Sequence, residues 1–277
     1  MSGTLYVVAT PIGNLDDLTP RARQTLAAVD LIAVEDTRHS GRLLSHIGVK
    51  TRLLALHDHN EEQVLGKVIE VLLAGESVAL ISDAGTPLLS DPGYRLVQAA
   101  HASDIIVSPI PGASALTAAL SAAGLPTDRF CFEGFPPPKK MARREWLENL
   151  CKETRTIVMY ESVHRITDSL TDMVDIFGAD RKAFIGRELT KIHEQCVQDT
   201  LGDLLAAVES NKIVSKGEFV LVVAGAVRQA DSSVDVDRLL TALVDKLSAK
   251  DAARVVADVT GAKKNVLYER LLKMRED

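Results

Sequence analysis

The sequence has 277 residues, 46% of them hydrophobic and 25% charged, with a net charge of −6. That composition is one of an ordinary folded protein of one or two domains; it excludes a largely disordered chain, and the acid excess excludes coating nucleic acid through a uniform positive field. No basic run precedes an apolar stretch at the N-terminus, the apolar run 219–227 is too short to span a bilayer, and Cys131, Cys151 and Cys196 are scattered without a CxxC, so no signal peptide, membrane span or disulfide framework is expected and a cytoplasmic setting fits.

Residues 5–9 read as a strand, and 19–30 as a helix with Thr19 as N-cap and Pro20 in its first turn. A strand at 31–34, a helix at 40–47 stopped by Gly48, a strand at 53–56, a helix at 61–73 and strands at 78–81 and 105–107 follow, then a small-residue helix at 114–123. Apolar strands without polar alternation, separated by helices, indicate a parallel sheet buried on both faces, with ligands beyond the carboxyl ends of its strands. A boundary is expected near Leu125-Pro126-Thr127. Beyond it come a strand at 130–135, a stiff basic loop at 136–140, a helix at 142–151, a strand at 156–160, a helix at 166–177, strands at 183–185 and 193–198, a helix at 201–209 and a strand at 219–223. The segment 229–236 reads as a polar linker. The remainder is helical and basic, with eight Lys or Arg against three acids over 246–275. The expectation is an N-terminal α/β domain over 1–125, a second α/β domain over 126–228 and a helical basic tail over 229–277.

The unusual loops fall at strand ends. Thr10-Pro11-Ile12-Gly13 occupies the place of a dinucleotide cradle, yet has one glycine and a proline without an N–H, so it reads as a tight turn or a different ligand loop. The stretch 82–93 holds two Gly, two Pro and two Asp in twelve residues. It is either a surface loop with turn chemistry or a ligand loop in which Asp83 accepts a hydrogen bond from an ammonium or hydroxyl. Small residues at 110–115 leave space for a flat ring, or simply let a helix pack tightly. Tyr160-Glu161-Ser162 ends a strand, followed by His164 and Arg165. The charged run 186–194 is a solvated stretch or a place where Arg187 and Lys191 hold phosphates while Glu188, His193 or Glu194 moves a proton. Asp36 reads as a helix cap. His57 and His59 invite a metal reading without a third ligand nearby.

Seven segments together carry a resemblance: TPIGNLDDLTPRA from Thr10, EDTRHS from Glu35, SDAGTPLLSDPG from Ser82, PGASA from Pro111, YESVHR from Tyr160, RELTKIHE from Arg187 and KGEFVLVVAG from Lys216. In this order they resemble the tetrapyrrole-methylase-like superfamily, and within it the ribosomal small-subunit RNA (cytidine-2′-O) methyltransferases. Ala9 and Pro11 stand where the wider superfamily has glycines, which favours the RNA branch; Val163 stands where that branch has proline.

The resemblance implies two α/β domains with S-adenosylmethionine in the cleft between them, a homodimer, no metal, and a ribose 2′-hydroxyl of small-subunit ribosomal RNA, on the 30S subunit, as acceptor. By position, Pro11, Asp83, Thr86, Leu88, Ala113, Ser114, Ala115, Tyr160, Glu161 and Leu189 are the cofactor residues it implies. A hydroxyl acceptor benefits from a base or a neighbouring cation. Glu161, Lys191 and His193 are the first candidates, with Asp36, Arg38 and His57 behind them. Arg38, Lys139, Lys140, Arg143, Arg144, Arg165, Arg187, Lys263 and Lys264 are the cations expected to meet RNA phosphates. The competing readings are the same chemistry on a tetrapyrrole or a protein histidine, a metal-dependent hydrolase built on His57 and His59, and a non-catalytic ribosome-binding protein.

Overall fold

Three strands of the first sheet are apolar on both sides. Leu5 of β1 (Thr4–Val8), Leu31 and Ala33 of β2 (Leu31–Val34), and Val78 and Leu80 of β4 (Val78–Ile81) bury against Val68 and Leu72 of α3 (Glu61–Leu73) and Leu96 and Ala100 of α4 (Tyr94–Ala102). Their alternates Val8, Ile32, Val34, Ala79 and Ile81 bury under Ala22 and Leu26 of α1 (Pro20–Ala28) and Leu44 of α2 (Thr37–His46). Both faces are covered, so period-2 alternation appears in the sequence as unbroken apolar runs. With β3 (Arg52–Ala55) and β5 (Ile106–Ile110) at its edges, the sheet has the order β3-β2-β4-β1-β5, all neighbours parallel.

The computed structural model describes residues 2–57, 60–227, 236–244 and 246–276. It divides into two compact units, Met1–Gly225 and Ala226–Asp277. Thr19 caps α1 as expected, its hydroxyl accepting from the Ala22 N–H at 3.1 Å. Asp36 caps α2, accepting from the N–H groups of Arg38 at 2.7 Å and His39 at 3.4 Å, so this helix begins three residues before its apolar pattern does. The helix α4 escaped the sequence reading because its N-cap is Gly93, which offers no side-chain cap.

The second sheet, of β6 (Phe130–Phe132), β7 (Thr156–Ser162), β8 (Lys182–Arg187), β9 (Gln195–Thr200) and β10 (Glu218–Val223), has the order β6-β7-β10-β8-β9. Only β6 and β7 are parallel; the other pairs are antiparallel, so this half is α/β with a mixed sheet. Ile157, Met159, Phe219 and Leu221 pack on one face against Leu170 and Met173 of α7 (Ile166–Phe177) and Leu204 of α8 (Leu201–Glu209). The opposite face, with Val158, Phe184, Val220 and Val222, receives Leu116, Ala119 and Leu120 of α5 (Ala115–Ala122). α5 thus leaves the end of β5 in the first sheet and packs on the second. It joins the halves and leaves a cleft at its N-terminus.

In the C-terminal unit, α9 (Val236–Val244), α10 (Ala249–Thr260) and α11 (Lys264–Glu276) enclose Leu240, Ala252, Ala253, Val256, Leu267 and Leu271. Ser248 caps α10, accepting from the Asp251 N–H at 3.2 Å, and Gly261, at φ +70°, ends it. Among the described residues no helix is long and apolar enough to cross a membrane.

Candidate active site

The ends of β1, β2, β4 and β5 meet the end of β7 and the start of β10 around a cleft of about 500 Å³. This is the carboxyl edge of the parallel sheet, where open α/β folds bind ligands. The loop after β1 is tied to the loop after β4: Thr10 N–H donates to the Gly85 carbonyl at 2.8 Å, Gly85 N–H donates back at 3.1 Å, and the Thr10 hydroxyl donates to the Ser82 carbonyl at 3.3 Å. The chain then crosses to the second half. A Cβ on Gly13 would lie 2.4 Å from Lys191 Cγ and 2.8 Å from Thr190 Oγ1. The next residue, Asn14, donates its N–H to Thr190 Oγ1 at 3.1 Å. The single glycine of this loop serves close approach of the two halves rather than a pyrophosphate.

The loop 82–93 is the most contorted wall. Leu88 and Ser90 have φ of +76° and +72°, a region that costs non-glycine residues of order 1–3 kcal/mol each. That path turns Leu89, Ser90 and Asp91 into the cleft beside Asp83 and Thr86. Glu35, at the end of β2, also lines it. Burial pushes the Asp91 carboxyl up to about 6 against the lowering effect of the Ser82 hydroxyl, and the charges of Glu35 and Asp83 add to the rise.

Across the cleft, Tyr160 stands edge-on to Phe132 and Phe135, with ring centroids 4.9 and 5.5 Å away. Burial raises its phenol, the Leu116 N–H opposes the rise and Asp91 adds to it. Ser114, the N-cap of α5, makes no side-chain cap, and its buried hydroxyl oxygen has no hydrogen-bond partner. A buried unpaired hydroxyl on the cleft wall beside a helix N-terminus suits an anionic or polar ligand group.

Of the residues expected to meet a cofactor, Asp83, Thr86, Ser114, Ala115, Tyr160 and Glu161 line the cleft. Pro11, Leu88, Ala113 and Leu189 sit in the loops behind it; the Ala113 carbonyl, for example, accepts from the Thr86 hydroxyl at 3.1 Å. The sequence reading missed Glu35 and Asp91 as cleft acids, although both stand in segments it had singled out, and it missed Phe135 and Gly217.

The three groups expected to move a proton are not brought together. Glu161 shares the strand face of Ile157 and Met159, so its carboxylate is turned to α7. There it accepts from the Ser162 N–H at 2.7 Å and from the Ser169 hydroxyl, and pairs with Arg165 at 2.9 Å. Lys191 pairs with Glu188 and Glu218, both at 2.9 Å. Partial burial pulls its ammonium down, but the two carboxylates outweigh that and hold it above the usual lysine range. His193 lines a separate depression with Arg187, Gln195 and Lys216. Asp36 is occupied as a cap, and its N–H donates to Asp83 Oδ1 at 3.3 Å.

The cations divide similarly. Arg143, expected at the surface, is buried against Asp172 at 2.7 Å, and Arg144 pairs with Asp172 and Asp175 at 2.9 and 2.8 Å. Arg165 holds Glu161, and Arg187 is buried, donating to the carbonyls of Lys216 and His193 at 2.6 and 2.7 Å. Arg38, Lys139 and Lys140 are exposed, as are Lys263 and Lys264 in the C-terminal unit. His59 lies outside the described residues, and among those described no group of three His, Cys, Asp or Glu is placed to hold a metal ion.

Residues 4–205 match the family described as Tetrapyrrole (Corrin/Porphyrin) Methylases, and residues 230–275 match the RsmI C-terminal HTH domain. Fold and cleft together therefore define an enzyme of the methyltransferase class that uses S-adenosylmethionine. The chain is 51% identical to "Ribosomal RNA small subunit methyltransferase I" of Xylella fastidiosa (strain Temecula1 / ATCC 700964), covering 96% of this chain and 98% of that one. It is 49% identical to the protein of the same name from Escherichia coli O157:H7, covering 99% and 96%. The chain belongs to this ribosomal RNA small subunit methyltransferase I family. The solved structures of the cobalt precorrin-4 methyltransferase CbiF and of diphthine synthase share its fold, each at a TM-score of 0.59 over 80% of this chain, with 94% and 90% of theirs covered, at 18% and 15% identity.

Proposed function

We propose that the chain transfers a methyl group from S-adenosylmethionine to the ribose 2′-hydroxyl of a cytidine in small-subunit ribosomal RNA, with the assembled 30S subunit as substrate. The observation that carries this reading is identity of about half over nearly the whole chain with proteins named for small-subunit ribosomal RNA methylation. A cytoplasmic homodimer is part of the proposal, as is a division of labour between an N-terminal domain over 1–125, a second over 126–228 and an RNA-directed tail over 229–277.

The cleft residues fit the cofactor. The unpaired Ser114 hydroxyl and the N–H groups of the α5 N-terminus suit its carboxylate. Asp83 and its acidic neighbours suit its cationic groups, while Ile12, Leu89 and Phe135 offer apolar surface to its base. When bound, S-adenosylmethionine supplies an electrophilic methyl carbon on a cationic sulfur. What remains for the protein is to align the acceptor oxygen and receive its proton. Lys191, held charged, serves as a fixed cation and a clamp; Glu161 positions Arg165 and the end of β7. The exposed Arg38, Lys139 and Lys140 on the first unit, and Lys263 and Lys264 on the second, are the groups proposed to meet RNA phosphates.

The test is transfer of a radiolabelled methyl group from S-adenosylmethionine to purified 30S subunits, followed by nucleoside analysis. Label in 2′-O-methylcytidine is the expected result. Label on a base would overturn the acceptor assignment, and no label at all would overturn the substrate.

A further inference from the structure

Beside the cleft lies a second depression, of about 380 Å³, lined by Arg187, His193, Glu194, Gln195, Val214 and Lys216. We infer that it is a phosphate subsite, in which Arg187 and Lys216 hold a phosphodiester of the acceptor RNA strand next to the nucleotide whose hydroxyl enters the cleft. The inference rests on the reading that small-subunit ribosomal RNA is the acceptor.

The first support is a buried charge without a counter-charge. Arg187 is only 6% exposed, and among the described residues it forms no ion pair. Its Nε donates to the Lys216 carbonyl at 2.6 Å, and its Nη1 to the His193 carbonyl at 2.7 Å and to Gln195 Oε1 at 3.2 Å, all neutral acceptors. Nη2 makes no hydrogen bond among the described residues. Arg143, also buried, shows the ordinary solution, since it sits on the Asp172 carboxylate at 2.7 Å. Glu188, next in the chain, feels the charge of Arg187, but its carboxylate accepts from Lys191 Nζ and the Glu218 N–H. A guanidinium taken out of water and left with neutral partners is costly, and an anion entering the depression offsets that cost. The planar fork of N–H groups matches the oxygens of a phosphate.

The second support is that the floor is built in advance. Gln195, which holds Nη1, is itself fixed: its Oε1 accepts from the Val214 N–H at 3.2 Å and its Nε2 donates to the Lys212 carbonyl at 3.0 Å. The loop after β8 is left-handed at Glu188, φ +50°, and at Thr190, φ +66°, a backbone that its surroundings must over-determine. Lys216 adds a second cation at the exposed rim, beside His193. The acid among the lining residues, Glu194, gives its Oε2 to the Thr190 N–H at 2.6 Å.

The third support is place, and it separates an RNA strand from a free phosphate. Lys216 lines the depression, while Gly217 and Glu218, the next two residues, line the cleft. A strand that lays one ribose in the cleft brings its neighbouring phosphates past this rim, whereas a free anion gains nothing from the adjacency. Ile192, directly before His193, is 97% exposed. An apolar side chain standing in water beside a cationic depression suits a ligand that carries a base next to its phosphate.

Arg187 also braces the loop, so the decisive variants are at Lys216, whose side chain is exposed and makes no hydrogen bond or ion pair among the described residues. Wild type, Lys216→Gln, Lys216→Glu and Arg187→Gln are compared by filter binding to 30S subunits as salt is raised, by calorimetry with S-adenosylmethionine, and by thermal melts with and without inorganic phosphate at constant ionic strength. Lys216→Gln should weaken 30S binding and lower the slope of log affinity against log salt by up to about 0.7–0.9, the share of one phosphate. Lys216→Glu, which sets a carboxylate where the phosphate should sit, should weaken it by about tenfold or more. Cofactor affinity should stay as in wild type. Arg187→Gln, where its melt matches wild type, should show the same loss on 30S subunits. Wild-type affinity and slope in both Lys216 variants would overturn the subsite, and so would a normally melting Arg187→Gln that binds 30S subunits as wild type does. If inorganic phosphate raises the Tm of wild type but not of Lys216→Glu while all variants bind 30S subunits alike, the site belongs to a free anion and the RNA assignment is overturned. A wild-type enzyme that binds cofactor but neither binds nor methylates 30S subunits would overturn the functional reading itself; wild-type methylation with unaltered variants would overturn this inference alone.

Discussion

Gly217 shows how little freedom the cleft leaves single residues. Its φ is +89°, and an added Cβ would lie 2.3 Å from the Glu188 carboxylate. That carboxylate cannot swing aside at no cost, since it accepts from the Glu218 N–H and from Lys191 Nζ, both at 2.9 Å. Gly217→Ala is therefore expected to lose about 1–3 kcal/mol from backbone strain and a disturbed ion cluster. In a thermal melt this means a Tm lower by roughly 2–12 °C; an unchanged Tm would show that the cluster yields freely. The same scale explains what the sequence could not reveal. Thr19 and Asp36 were legible as caps because a cap acts on the next few residues of its own chain. Asp91 was not legible as a buried cleft acid, because the groups around it, Glu35, Asp83 and Tyr160, follow or end strands β2, β4 and β7, far apart in sequence.

Between elements, the clearest dependence is the fastening of α7 to the helix before β7, α6 (Lys140–Leu150). Asp172, buried in α7, receives Arg143 Nε at 2.8 Å and Arg144 Nη1 at 2.9 Å from α6. Burial pushes its carboxyl up, but Arg144 and Arg143 outweigh this and hold it below the usual carboxylate range. A depressed carboxyl contributes stability that is fully present above its unfolded value and lost as pH falls through its folded one. The clasp should therefore hold at neutral pH and fail only in acid below the ordinary aspartate range. Asp172→Ala strands a buried guanidinium and should cost about 3–5 kcal/mol in urea unfolding at pH 7, with the gap from wild type narrowing as the pH is lowered. A gap independent of pH would show that packing, not charge, joins the two helices. Arg143 and Arg144 looked like RNA contacts in sequence because a basic run on a helix reads the same whether its partners are phosphates or acids of the next helix. β9 was misplaced for a related reason: His193 and Glu194 belong to a loop fixed by Glu194 accepting from the Thr190 N–H at 2.6 Å, a local bond that periodicity does not register.

For the whole molecule, strand-helix alternation was enough to read two α/β halves and a helical tail, but not the mixed second sheet. The apolar run of β10 looks like a parallel strand because both its faces are covered; one of the coverings is α5, which arrives from the other half of the unit. The C-terminal unit has a core of its own, and the described residues lining the cleft belong to the first unit. Cofactor binding and RNA binding should then separate on truncation. A chain ending at Gly225 should bind S-adenosylmethionine as the full chain does, yet bind 30S subunits more weakly, with a shallower dependence of log affinity on log salt. The slope should fall by about 0.7–0.9 for each phosphate that the shortened chain no longer neutralises. Lys263→Gln with Lys264→Gln in the full chain should reproduce part of that change, because both cations stand exposed where α11 begins. The titration should run from about 50 to 300 mM salt, which brackets a Debye length of about 10 Å. Equal slopes for the full and shortened chains across it would mean that the tail does not touch phosphate and that cations of the first unit carry the electrostatic attraction alone.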